Sequence, residues 1–248
     1  VKRIACISDL QTPFEDRKAV RAVAQFLEWW QPDLTCSVGD EFDLPQISRY
    51  SKGNRGEFEG DLGKDRDHGK DVLRMLGIQH ITRSNHLDRW FDALSRVPAF
   101  QNVPEFQLEN FLGLDDLGIT YHPTPWDPTG TGTWLLMHGD EGAMSPNAGS
   151  TSQSLSLRAG KNVIAGHTHR LGLVPKTQTF LGDPKPRVWF GFEAGCLADF
   201  NSPGMKYAKF KNWQQGFGLL YVDGKTVHPV PVPIVNRSFV VDGKRFTF

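Results

Sequence analysis

Five short apolar runs in this chain each stop at residues able to bind a metal ion, and that succession restricts the fold more than any other feature. Residues 4–8 run into Asp9, with Gln11 two positions on, and residues 34–38 run into Gly39-Asp40. Residues 80–82 lead to Asn85-His86, residues 133–137 to His138-Gly139, and residues 162–165 to Gly166-His167-Thr168-His169. Asp16 opens an amphipathic helix with Ala19, Val20, Val23, Ala24 and Leu27 at helical spacing, and Pro32 stops it. The opening is therefore a βαβ unit. Sheets built from such units place their chemistry at the carboxyl ends of the strands, which is where these polar residues fall.

Further helices are predicted over 65–76, 87–94, 105–111 and 150–159, with another short strand at 118–121. The stretch 44–70 interleaves basic and acidic side chains and reads either as a solvated loop and helix face or as an ordered lid over a substrate. From residue 171 onward apolar and polar residues alternate between turns. Asp223-Gly224 and Asp242-Gly243 are two-residue hairpin signals, so the C-terminal third is predicted to be mostly antiparallel β. With no repeat and no low-complexity linker, residues 1–248 are expected to form one domain.

Lysines and arginines equal aspartates and glutamates at 28 each, which argues against a broad basic face for nucleic acid. Cys6, Cys36 and Cys196 show no paired spacing, and the first two lie in apolar runs, as reduced buried thiols do. No run is long enough to span a membrane, and Val1 leads directly into a strand without a signal-type apolar region. The expectation is a soluble, cytoplasmic protein with no membrane association. Oligomeric state is left open.

Each ligand-type residue alone has an ordinary explanation. An aspartate at a strand end is commonly a turn or helix cap, and a histidine before glycine is commonly a loop residue. Strand alternation would put His167 and His169 on one side, where both rings could meet one metal cluster. Carboxylate, amide oxygen and imidazole together suit Mn²⁺, Fe or Zn²⁺ better than Mg²⁺ or Ca²⁺. Chance rarely supplies such residues at five strand ends of one chain.

The ordered set resembles the calcineurin-like metallophosphoesterase superfamily, whose pattern is D-x-H, G-D-x-x-D, G-N-H-E/D, a later H-G and G-H-x-H. Here the corresponding residues are Asp9-Leu10-Gln11, Gly39-Asp40-Glu41-Phe42-Asp43, Ser84-Asn85-His86-Leu87-Asp88, His138-Gly139 and Gly166-His167-Thr168-His169. The resemblance implies a four-layer α/β/β/α sandwich, two mixed β-sheets flanked by helices. It also implies two divalent metal ions, Mn²⁺ first, with Fe or Zn²⁺ as alternatives. Asp40 would bridge them; Asp9, Gln11 and His169 would serve one, and Asn85, His138 and His167 the other. A hydroxide between the metals would attack phosphorus in line. His86 would stabilise the transition state or protonate the leaving oxygen, with Asp43 orienting it.

Two positions depart from the pattern. Gln11 replaces a histidine, so the Asp9 site is expected to be weaker or differently selective, because an amide oxygen is a poorer donor than imidazole. Ser84 replaces a glycine. Leu44 stands where phosphoprotein phosphatases of the superfamily carry a phosphate-gripping arginine, which argues against that branch. The expected substrate is a small phosphate ester or nucleotide, a phosphodiester or a phosphomonoester. Arg49, Arg55 and Arg170 are candidate phosphate contacts, and Trp90, Trp126 and Trp213 candidate base-stacking surfaces. The alternatives are a metal-dependent DNA or RNA nuclease, not favoured because no basic groove is evident linearly, and a non-catalytic interaction module on the same fold.

Overall fold

The structure, a computed structural model, describes residues 1–53 and 55–248, without the side chains of residues 55, 56, 180 and 183. Its strands are β1 (Lys2–Ile7), β2 (Leu34–Ser37), β3 (His80–Thr82), β4 (Thr120–His122), β5 (Trp134–Leu136), β6 (Asn162–Ala165), β7 (Leu171–Phe180), β8 (Asp183–Ala194), β9 (Gly216–Asp223), β10 (Thr226–Pro233), β11 (Ser238–Val241) and β12 (Lys244–Thr247). Its α-helices are α1 (Arg17–Trp30), α2 (Arg55–Phe58), α3 (Leu62–Met75), α4 (Asp88–Ser95), α5 (Leu108–Leu112), α6 (Leu114–Leu117) and α7 (Ser150–Ala159).

Alternation along single strands builds the layers. On β1, Ala5 and Ile7 join a core with Val20, Val23 and Phe26 of α1 and Val72 and Leu73 of α3. Ile4 and Cys6, on the opposite face, pack with Trp134, Leu136, Ile164 and Phe192 of a second sheet. Along β6, Ile164 enters that inter-sheet core, while Val163 and Ala165 turn outward to Leu155 of α7. The result is helices, sheet, sheet, helix. The first sheet has the order β10-β9-β1-β2-β3-β4 and the second β5-β6-β8-β7. Both are mixed: β1 to β4 run parallel, β9 runs antiparallel to β1 and β10 antiparallel to β9; β5, β6 and β8 run parallel, β7 antiparallel. This is the four-layer arrangement the sequence resemblance implies.

Helix α1 forms as its caps dictate. The Asp16 carboxylate accepts from the N–H groups of Lys18 and Ala19, and Gln31 closes the other end in a left-handed conformation. Helix α3 starts three residues before the predicted 65–76 segment because Asp61 caps it, accepting from Lys64 N–H. The predicted 105–111 helix is divided: Pro104–Phe106 is a 3₁₀ turn, and α5 begins only at Leu108. In the C-terminal region Asp242-Gly243 forms the expected two-residue turn, but the β9–β10 turn is Gly224-Lys225, one position beyond the prediction. The prolines at 229, 231 and 233 lie on β10, at the sheet edge, where a missing N–H breaks no ladder. Among the described residues no helix is long and apolar enough to cross a membrane. Cys6, Cys36 and Cys196 are buried free thiols.

Candidate metal centre

The loops leaving β1, β2, β3, β5 and β6 meet at one end of the two sheets, and strained backbone marks the place. Asp9, Gln11, Asp40, His167 and His169 all have positive φ, between 50° and 66°. This left-handed region is costly for residues with a Cβ, and such residues concentrate where function over-determines geometry. Two glycines permit the approach of the loops. A Cβ on Gly39, whose φ is 107°, would collide with the His138 ring, and one on Gly166 would collide with Ser8 Oγ.

This geometry corrects one expectation. His167 and His169 are not alternating positions of a strand, because β6 ends at Ala165. They occupy a loop pinned by Gly166 N–H to the His138 carbonyl (2.8 Å) and His167 N–H to Asp9 Oδ2 (3.1 Å). The rings therefore diverge to different neighbours. His167 Nδ1 lies 3.0 Å from Asn85 Oδ1, whereas His169 Nε2 lies 3.2 Å from Asp9 Oδ1.

On one side stand Asp40, Asn85, His138 and His167. His138 Nδ1 lies 3.0 Å from the Val38 carbonyl, which fixes its proton there and turns the Nε2 lone pair inward. Nε2 faces Asn85 Oδ1 at 2.9 Å and Asp40 Oδ2 at 3.2 Å, both of them acceptors. Ligand atoms of Asp40, His138 and His167 all lie within 4.8 Å of one another. The electrostatics ask for a positive charge at this point. Desolvation pulls the His138 imidazole down, but the Asp40 carboxylate beside it, with Asp9 adding, raises its pKa to about 10. Desolvation works against the Asp40 charge, yet His138 and His86 hold this carboxyl well below the usual range. Burial lowers His167, and the charge of His138 lowers it further.

On the other side stand Asp9, Gln11 and His169. Asp9 Oδ1, Gln11 Oε1 and His169 Nδ1 are all buried without a hydrogen-bond partner. Gln11 turns its amide nitrogen toward the cluster, 3.0 Å from Asp40 Oδ2 and 3.5 Å from His169 Nε2. Rotating the amide about its last torsion exchanges nitrogen for the orphaned oxygen. Carboxylate, carboxamide and inward imidazole nitrogens, with buried lone pairs unmatched by donors, form a donor set that fits divalent transition ions.

His86 stands beside Asp40 and Asp43. Its backbone N–H donates to Asp40 Oδ1 (3.2 Å), its Nδ1 lies 3.1 Å from Asp43 Oδ1, and its Nε2 lies 3.7 Å from Asp40 Oδ2. Sequence reasoning missed Arg89. It sits three residues after His86, on the first turn of α4, where helical spacing returns it to the same face. Its guanidinium donates to the Asp43 carbonyl and lies 2.8 Å from His86 Nε2. It also missed Glu193, buried on β8, which accepts from Thr168 Oγ1 (2.9 Å) and Thr151 N–H (3.1 Å) and so props the 166–169 loop.

A recess of about 350 Å³ opens on the Asn85–His167 side, where Arg49, Arg89 and Arg96 are matched by Asp88, Asp92 and Asp140. Arg49 thus reaches the site's rim, its guanidinium over the Tyr50 ring at 4.8 Å. Arg170 does not stand open: it donates to the carbonyls of Ser145 and Asn212. The Arg55 side chain lies outside the described residues. Trp90 is buried against Phe111, and Trp126 stacks on His122 at 4.0 Å, so both serve packing. Trp213 alone of the three meets the centre, its ring 4.8 Å from that of His169.

The layer order and mixed sheets are those of the metallophosphoesterase fold. Vps29 from Entamoeba histolytica, in a crystal structure complexed with zinc, superposes with a TM-score of 0.50 at 14% identity, covering 99% of this chain and 98% of that one. Vacuolar Protein Sorting 29 from Cryptosporidium parvum gives 0.50 at 12% identity, covering 100% and 98%. No family model matches the chain. In sequence it is 37% identical over 252 residues to the Gene 54 protein of Mycobacterium phage D29, covering 98% of this chain and 97% of that protein. The Gene 54 protein of Mycobacterium phage L5 is 36% identical with 98% of each covered. The chain belongs to the family of these Gene 54 proteins.

Proposed function

We propose that the protein is a binuclear-metal-dependent phosphoesterase, acting on a phosphodiester or phosphomonoester. The observation that carries this reading is the convergence of Asp9, Asp40, Asn85, His138, His167 and His169, whose imidazole nitrogens face the carboxylate and amide oxygens at 2.9 to 3.2 Å while Asp9 Oδ1 has no hydrogen-bond partner. Asp40 lies between the two sets and is the natural shared ligand. Asn85, His138 and His167 would hold one ion, and Asp9, Gln11 and His169 the other. Ions held there would lower the pKa of water and neutralise charge on the phosphate oxygens.

The remaining chemistry belongs to the chain. Asp43 Oδ1 lies 3.1 Å from His86 Nδ1, so its carboxylate favours a proton on that nitrogen and would orient the ring. That presents Nε2 toward the ligand cluster, where it can share or give a proton to the leaving oxygen. Arg89 now covers Nε2; a phosphate entering beside Asp40 would draw the guanidinium to its own oxygens, for which the planar fork is suited. Arg89 then supplies the cationic grip that Leu44 cannot.

Hydrolysis of bis-p-nitrophenyl phosphate and p-nitrophenyl phosphate with Mn²⁺ tests the proposal. Wild type is expected to turn over at least one, and Asp40→Asn neither. Activity that survives Asp40→Asn, or none in wild type across Mn²⁺, Zn²⁺ and Fe²⁺, contradicts it.

A further inference from the structure

The long segment after β8 is tied at both ends to ligand-type residues of the centre. Leu197 N–H donates to the Asp9 carbonyl (3.3 Å), and Gln214 N–H donates to the His169 carbonyl (2.9 Å). Between these anchors the only regular element among the described residues is the 3₁₀ turn Pro203–Met205. A loop of this length without secondary structure of its own is ordinarily functional or disordered, and both ends of this one are fixed to the site.

Its composition is unlike the rest of the chain. From 200 to 222 there is no aspartate or glutamate, while Lys206, Lys209 and Lys211 fall within six residues, in a chain whose formal charge is zero. Tyr207 and Phe210 are interleaved with the lysines and stand 71% and 98% exposed. Trp213 is braced between Tyr207 (5.5 Å), Phe200 (5.6 Å) and His169 (4.8 Å), with Lys211 Nζ 5.4 Å from its ring. Exposed aromatic faces alternated with lysines match stacked bases joined by phosphates.

We propose that the 197–214 loop binds single-stranded nucleic acid, stacking bases on Tyr207, Phe210 and Trp213 and holding phosphates with Lys206 and Lys209. Resting on the phosphoesterase reading, this makes the substrate a phosphodiester within an oligonucleotide. The strand then crosses the centre.

Fluorescence anisotropy with labelled oligothymidine and oligouridine of about 12 nucleotides, in EDTA so that no hydrolysis intrudes, tests the loop directly. Wild type should bind at least one of them, and the tighter partner tells DNA from RNA. Phe210→Ala should weaken binding roughly five- to a hundred-fold, as loss of one stacking surface does. The double variant Lys206→Ala/Lys209→Ala should flatten the slope of log K against log salt by about 1.4. Unchanged melting temperatures show that the variants fold. Absent wild-type binding, insensitivity to both variants, or equal affinity for a duplex of the same length overturns the proposal. If wild type hydrolyses bis-p-nitrophenyl phosphate but fails this binding test, the loop proposal falls and the phosphoesterase reading stands.

Discussion

The two sets of ligand-type residues that flank Asp40 are supported differently. In the Asn85–His138–His167 half, the far nitrogen of His138 is held by the Val38 carbonyl, and Asn85 Oδ1 is approached by two imidazoles. In the Asp9–Gln11–His169 half, His169 Nδ1 has no partner, Gln11 Oε1 is buried and unmatched, and the Gln11 nitrogen donates to the very oxygen Asp40 would share. Histidine ligands bind well when their second nitrogen is fixed, and outer groups of this kind command on the order of 10- to 100-fold in metal affinity. The difference teaches that ligand-type positions can be kept while the hydrogen bonds that support them diverge.

The largest expected effect breaks the comparison by removing what the halves share. Asp40→Asn should lose both ions and reduce hydrolysis to background, read by metal analysis of dialysed protein together with p-nitrophenol release. Next, His86→Ala should leave metal content intact while lowering kcat by roughly 10²- to 10⁴-fold, the usual contribution of a positioned acid. Loss of bound metal in that variant would reassign His86 to the ligand set. Raising Mn²⁺ to about a hundred times the Kd of the tighter half should add about 2.7 kcal/mol of stability from that half alone, raising Tm by roughly 5 to 10 °C by calorimetry. The smallest and most discriminating change is Gln11→His. It should tighten the Asp9–His169 half by on the order of tenfold and leave the other half alone, narrowing the gap between them.

Much of this centre was legible because each ligand-type residue follows an apolar run, and burial of that run fixes where the strand ends. Asp16, Pro32 and Asp242-Gly243 likewise declare their local structures through side chains acting on their own backbone. What stayed hidden depends on partners distant in sequence. The left-handed turn at His167 is set by Asp9 and His138, so strand alternation misled. The role of Arg89 needed the knowledge that α4 starts directly after His86. Lys206, Lys209 and Lys211 could be read in the sequence, but only the anchors at Asp9 and His169 place them beside the centre.

Anomalous scattering from crystals equilibrated across a series of Mn²⁺ concentrations measures the central claim most directly, because it counts each half separately. The Asn85–His138–His167 position should fill first and the Asp9–Gln11–His169 position at roughly tenfold or more higher concentration, with the gap closing in Gln11→His. Two positions filling together at trace metal, or none at any concentration, would contradict it.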